Sequence, residues 1–168
     1  MPSFTSEFYA RHYAPIQREK YAEVWPLLQP LLSKHAPRTL VDFGVGPAWL
    51  ETFLEEKGLS FDRVVGVDIS EEAISLRKKG IDYRVNTLLS SSEKFDLVIA
   101  WDAWHCFPTL RLEDYLSPNG LLLLAEPAPF VSLLEPYVKN ALLDVWVGKQ
   151  ERSRVVVWGK KSYSSFNA

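Results

Sequence analysis

A β-type apolar run, Thr39 to Phe43, stops at Gly44-Val45-Gly46-Pro47, and a segment with helical spacing, Ala48 to Lys57, follows until Gly58. Strand, glycine turn and helix in that order commit the chain to a parallel α/β sheet. Glycines there can take positive φ and let a ligand approach the backbone, the following helix presents free N–H groups, and a helix is the crossover that a parallel neighbour requires. The next run, Val64 to Ile69, is apolar almost without a break, as a strand covered on both faces must be. The spacing then predicts a helix over Glu71 to Lys79, with Ser70 as its N-cap and Gly80 closing it. Ile81 to Val85 reads as a third strand and Phe95 to Ala100 as a fourth, buried on both sides.

Thr109 to Leu116 is the stretch left for a helix before the turn Ser117-Pro118-Asn119-Gly120 and a fifth strand, Leu121 to Ala125. Pro129 to Leu142 is expected to be a helix interrupted or kinked near Pro136. Asp144 to Lys149 and Arg154 to Lys160 are separated only by Gln150 to Ser153, too short for a parallel crossover, so they form an antiparallel hairpin. Ahead of all this, Tyr9 to Leu32 is helical, with Ile16, Val24, Leu28 and Leu32 at multiples of four. Pro15 suits a first helical position, whereas Pro26 and Pro30 predict a kink, or two short helices joined near Trp25. The pattern amounts to about seven strands in a right-handed, mostly parallel sheet closed by the hairpin.

A chain of 168 residues suits one globular domain, and Cys106 as its lone cysteine leaves no internal disulfide, so a reducing, cytoplasmic setting is the expectation. Met1 to Ala10 has neither a basic leader nor an apolar core, unlike a secretory signal. The longest apolar run, Leu121 to Ala125, is far below the ~20 residues of a membrane-spanning helix, so a soluble protein is expected. A formal net charge of −2 provides no global field toward phosphate backbones, and nucleic acid is not indicated. His12, His35 and His105 are scattered around one cysteine without metal-ligand spacing, so no metal is expected.

Asp42 lies inside an apolar strand end just before the glycines, where a carboxylate is costly to bury without a partner, and a cationic ligand supplies one. The fingerprint G-x-G-x-x-G requires a glycine at position 49, which is Trp49, and this argues against NAD. Asp68 ends the second apolar run, where a carboxylate can accept hydrogen bonds from two hydroxyls. The plainer alternatives are a tight turn with no ligand, and for Asp68 a capping or turn residue beside Ser70.

Asp42, Gly44, Gly46 and Ala48 resemble the first motif of the class I S-adenosylmethionine-dependent methyltransferases, an apolar strand, an acidic residue and G-x-G-x-G, with Ala48 replacing the third glycine. Val64-Val65-Gly66-Val67-Asp68-Ile69 is similar to the family's second motif. The resemblance implies a Rossmann-like α/β fold with a C-terminal antiparallel hairpin and S-adenosylmethionine as cofactor. It places Asp42 near the cofactor's amino-acid end, Asp68 on the ribose hydroxyls and Ile69 as an apolar wall against adenine. Where the family carries an acidic residue near the adenine amino group, this chain has Asn86 and Thr87, acceptors or simple turn residues. Phe95 to Ala100 looks like the fourth-strand motif, with Asp96 structural, and Leu116 to Gly120 like the turn before strand five. The likeness runs from Arg38 to Lys161, and residues 1–168 are expected to form one domain with an N-terminal helical segment over 1–35. Phe8 to Tyr13 resembles the family's tyrosine-bearing lead-in, which makes Tyr9 and Tyr13 lid and substrate-binding candidates, or packing residues.

The acceptor is expected beyond strand four, along Trp101-Asp102-Ala103-Trp104-His105-Cys106-Phe107-Pro108, because ligands bind at the carboxyl ends of the strands. Asp102 and His105 are the candidates to orient the acceptor or take its proton. Trp101, Trp104 and Phe107 either shape an aromatic pocket or pack the core. His105 and Cys106 are adjacent, so their side chains diverge, and no orienting group is evident for a covalent mechanism. Glu126 either reaches the crevice or serves as a helix N-terminal charge. The Asn-Pro-Pro-aromatic motif of enzymes acting on adenine or glutamine amides is absent, as is the proline-cysteine nucleophile of DNA cytosine enzymes. What remains resembles the small-molecule type related to quinone biosynthesis. No sizeable insertion follows strand five, so a protein partner or a homodimer mate is a candidate to complete the pocket. The alternatives are a catalytically silent subunit and an RNA or protein methyltransferase that needs a partner.

Overall fold

The computed structural model describes residues 8–71, 74–85 and 89–160. Its strands are β1 Thr39–Phe43, β2 Arg63–Asp68, β3 Asp82–Val85, β4 Phe95–Trp101, β5 Leu116–Pro127, β6 Leu143–Val147 and β7 Ser153–Gly159. They form one sheet in the order β3-β2-β1-β4-β5-β7-β6. The first five are parallel to their neighbours, and β7 runs antiparallel between β5 and β6. The strand order reverses between β1 and β4, so the connections leaving their carboxyl ends diverge and open a ligand crevice. Asp42, opposite Gly66 on one side and Ile99 on the other, lies at that point.

The helices are α1 Ala14–His35, α2 Trp49–Glu56 and the single turn α3 Glu135–Val138, with a π-helical run, Tyr9–Tyr13, leading into α1. On one sheet face, Tyr21, Val24, Leu28 and Leu32 of α1 and Leu50, Phe53 and Leu54 of α2 pack on Leu40, Leu97, Ile99, Leu121 and Leu123. The alternate residues Val41, Phe43, Val98, Leu122 and Leu124 face the other way, against Leu112, Tyr115, Leu134 and Tyr137. Two-residue periodicity thus divides each strand between two cores. Among the described residues no helix is long and apolar enough to cross a membrane.

Three helix expectations are corrected. Between β2 and β3 the described residues form turns and bends. Ile74 is fully buried with Val45 and Ala48 of the glycine turn, and the Lys78 N–H donates to the Tyr83 hydroxyl at 2.7 Å rather than back along a helix. Ser70 is therefore no N-cap, and its N–H donates to Asp68 Oδ1 at 3.1 Å. Thr109 to Leu116 contributes one 3₁₀ turn, Leu112–Tyr115. Pro129 to Leu142 becomes a 3₁₀ run, Ala128–Leu134, and then α3: Pro129 sits in the first turn, where it costs no bond, but Pro136 has no N–H to carry the ladder on from the first run. The Ser117 to Gly120 turn lies within β5 as an irregularity, where Phe95 pairs with Leu116 and Leu97 already pairs with Leu121.

The fourth correction concerns α1, which does not divide near Trp25 but runs unbroken for 22 residues through Pro26 and Pro30. The prolines are one helical turn apart and exposed, as is Ala22, so the carbonyls of Ala22 and Pro26 that lose their donors face water. Pro30→Ala restores one of these bonds without touching the core. It should raise stability by about 2 kcal/mol, the interior-proline penalty less the proline's effect on unfolded-chain entropy. A urea midpoint that stayed level or fell would show that the helix needs its proline-induced curvature.

Candidate active site

The glycine turn is held by the neighbouring strand. Gly44 N–H and Val45 N–H both donate to the Val67 carbonyl, at 2.7 and 3.1 Å, and Gly46 N–H donates to Asp68 Oδ2 at 2.9 Å. Gly44 has φ +89°, and a Cβ on it would stand 2.2 Å from the Cβ of Ala103, in the connection after β4. The glycine therefore lets two segments of this chain approach, besides leaving its backbone open to a ligand. Ala48 caps α2 in the left-handed conformation, φ 59°, which costs an alanine about 1–2 kcal/mol more than a glycine.

Asp68 is buried, and its two oxygens accept from the backbone of Gly46 and Ser70. Each oxygen keeps a further lone pair for a hydroxyl. Ile69 beside it is half exposed. Asp42 is buried with Oδ1 unpartnered. Burial, reinforced by the carboxyls of Glu51 and Asp68, raises its pKa well above the ordinary carboxylate range. Glu51, in the first turn of α2, is also buried and raised, chiefly by desolvation. Sequence reasoning missed Glu51, although its place beside Leu50 and Leu54 puts it at the edge of the inward stripe.

Beyond β4 the structure divides the two catalytic candidates. Asp102 is already committed: its Oδ2 accepts from Gln17 Nε2 at 3.1 Å and Lys20 Nζ at 3.0 Å, and its Oδ1 accepts from Ser153 Oγ at 2.6 Å. Lys20 is fully buried on α1 and also donates to Ser153 Oγ at 3.0 Å. It fills the gap at position 20 in the series Ile16, Val24, Leu28, Leu32, a signal the apolar count passed over. Trp101 is buried edge-on to Tyr21 and donates its indole N–H to Gln17 Oε1 at 2.9 Å. Trp104 is buried against Tyr137, its N–H on the Leu110 carbonyl at 3.4 Å. Both tryptophans, the expected acceptor contacts, are thus packed and hydrogen-bonded within the protein. Phe107 lies edge-on to Phe43.

His105 is placed differently. Its backbone N–H donates to Glu126 Oε1 at 3.1 Å, and its Nδ1 lies 2.8 Å from Glu126 Oε2. The imidazole stacks on Phe130, centroids 4.1 Å apart and planes within 5°. Glu126, at the carboxyl end of β5, is fully buried, and burial raises its pKa against the lowering effect of His105. An orienting group for His105 therefore exists, 21 residues along the chain, where adjacency in sequence could not reveal it. The Cys106 thiol is pushed up by burial and by the charges of Glu126 and Asp68, which keeps it protonated. Tyr13 is half buried with its ring 6.1 Å from that of Phe8. Asn86, Thr87 and the side chain of Tyr9 lie outside the described residues.

Residues 10–159 match the family model described as a methyltransferase domain. The chain belongs to this family. Among solved structures, this methyltransferase domain is similar to a ribosomal protein L11 methylase from Lactobacillus delbrueckii subsp. bulgaricus, at 20% identity over 74% of this chain and 70% of that one, TM-score 0.57. It is also similar to the plantazolicin methyltransferase BpumL in complex with a monoazolic desmethylPZN analog and SAH, at 22% identity over 77% and 55%, TM-score 0.58. An rRNA methylase from Escherichia coli aligns at 18% identity over 86% and 66%, TM-score 0.56. At these identities the likeness shows the fold, and the chain spans between about half and seven-tenths of the neighbours' lengths. No curated protein matches the sequence.

A class I methyltransferase takes its methyl group from S-adenosylmethionine, and the residues of the turn fit that cofactor. The buried Asp42 Oδ1 accepts no hydrogen bond, which leaves it available to a cationic group of the cofactor. Asp68 retains acceptor capacity, and Gly44 and Gly46 keep the backbone bare of side chains.

Proposed function

We propose that this methyltransferase moves a methyl group from S-adenosylmethionine to a small-molecule acceptor, with His105 as the base that takes the acceptor's proton. The contact that carries the reading is His105 Nδ1 to Glu126 Oε2 at 2.8 Å. When Glu126 is ionised, Oε1 accepts the backbone N–H and Oε2 can accept only from Nδ1–H, which assigns Nε2 as the nitrogen that takes the proton. Phe130 fixes the ring plane from one side. The bound cofactor supplies an activated methyl group at its sulfonium.

Asp42, Gly44, Gly46, Ala48, Asp68 and Ile69 hold the cofactor at the ends of β1 and β2, while His105 and Glu126 receive the acceptor at the ends of β4 and β5. Asp102 is the positioning residue of this arrangement: through Lys20 it pins the start of the segment that carries His105. Net charge supports a small acceptor over nucleic acid, since −2 gives no field to gather phosphates.

Two measurements test the reading. Calorimetric titration with S-adenosylhomocysteine, with NADH for comparison, should show saturable binding of the former alone; binding of NADH instead would move the chain to another chemistry. Against an acceptor found by screening small phenols, thiols and amines, His105→Ala should lower kcat about 10²-fold, and Glu126→Gln about tenfold. Turnover left intact by His105→Ala would remove it as the base. Binding with no turnover on any acceptor, small molecule, RNA or protein, would make this a silent subunit.

A further inference from the structure

The buried side-chain oxygens without a partner among the described residues are Oδ1 of Asp42 and both carboxyl oxygens of Glu51. The two residues are 4% and 6% exposed and flank the glycine turn, Asp42 at the end of β1 and Glu51 at the start of α2. The two carboxyls act on each other directly, by charge and, once one is protonated, by side-chain hydrogen bonding, and two carboxyls in one dry site cannot both ionise without a counter-charge. Their surroundings provide little: Tyr21 from α1 is neutral and held so by burial and by these acids. Asp68 from β2 adds negative charge, and Tyr83 from β3 feels the charge of Glu51. Lys78 attracts Glu51, but its Nζ is paired with Glu55 at 2.7 Å.

We propose that Glu51 joins Asp42 in a pair that holds one proton in the ligand-free protein and releases it when the ammonium group of the cofactor's amino-acid end binds. This rests on S-adenosylmethionine being the cofactor, and it assigns Glu51 a part that the turn motif does not. The carboxylic O–H breaks, its proton leaves to solvent, and the ammonium hydrogens take its place as donors to the two carboxylates. The sign follows: at pH values where the free pair is protonated, binding must expel a proton, so affinity rises about tenfold per pH unit. Once the free pair has lost its proton, affinity levels off.

The test is titration of the whole chain with S-adenosylhomocysteine from acid to neutral pH, in buffers of different ionisation enthalpy, which counts the protons released. About one proton per ligand is expected on the rising limb. None is expected for 5′-methylthioadenosine, which lacks the amino-acid end. In Glu51→Gln the amide donates to Asp42 and keeps it ionised, so both the proton release and the pH dependence disappear. S-adenosylhomocysteine binding without proton release, or equal release by methylthioadenosine, overturns the inference and leaves the cofactor reading standing. Absence of S-adenosylhomocysteine binding at every pH would bring down both. The two ligands decide the matter on the unaltered chain, whether or not Glu51→Gln folds.

Discussion

Lys20→Ala should cost the protein about 3–5 kcal/mol, read as a large fall in the urea midpoint. Lys20 is 1% exposed, and its ammonium is shared by Asp102 and Ser153. Truncation leaves Asp102, only 14% exposed at its side chain, as a charge that water reaches poorly. The loss comes from that stranded carboxylate more than from the worth of the pair, so Lys20→Met combined with Asp102→Asn should recover most of it. Asparagine tolerates the left-handed conformation found at position 102, φ 51°. The exposed Arg38–Asp62 pair, 76% and 61% exposed, provides the contrast: Arg38→Ala should change stability by less than about 1 kcal/mol. If Lys20→Ala were as mild as Arg38→Ala, the network would not be the clamp described above.

Gly44→Ala should be comparably severe and should also abolish S-adenosylhomocysteine binding. A methyl group would lie 2.2 Å from the Cβ of Ala103, on a backbone at φ +89° that alanine adopts only with strain. Gly58 shares the strain at φ +86° but has open space where its Cβ would go. Gly58→Ala should therefore cost only about 1–2 kcal/mol and leave binding alone. The difference between the two isolates the steric term. Equal effects would mean that the connection after β4 yields freely to the turn.

The strands were legible because their cause is local. Thr39 to Phe43 matches β1, and the four residues between the last two runs forced a hairpin. Where a segment's state depends on distant contacts, the pattern misled. Ile74 has helical company in sequence but is drawn into the turn by Val45 and Ala48. The prolines of α1 look like breakers until their exposure on one face is known. The site divides the same way: Asp42, Gly44, Gly46 and Asp68 follow one another along two short motifs. Lys20 and Asp102 are 82 residues apart, and His105 and Glu126 meet only through the pairing of β4 with β5. Chemistry that joins neighbours in the chain can be read from the chain, whereas a contact made by sheet register needs the register.

The two roofs of the sheet are not equally stiff. A 22-residue helix covers one side, while the other is closed by one-turn elements and 3₁₀ runs, whose hydrogen bonds are poorer and whose opening is not bound into a long cooperative ladder. Trp104 and Phe130 belong to this second side, and His105 is tethered there through Glu126. Amides of that cover should therefore exchange with solvent sooner than those of α1, which hydrogen exchange would measure. On the proposed reading of the site, local opening of the cover is expected on the half that carries His105 and not on the half clamped at Lys20.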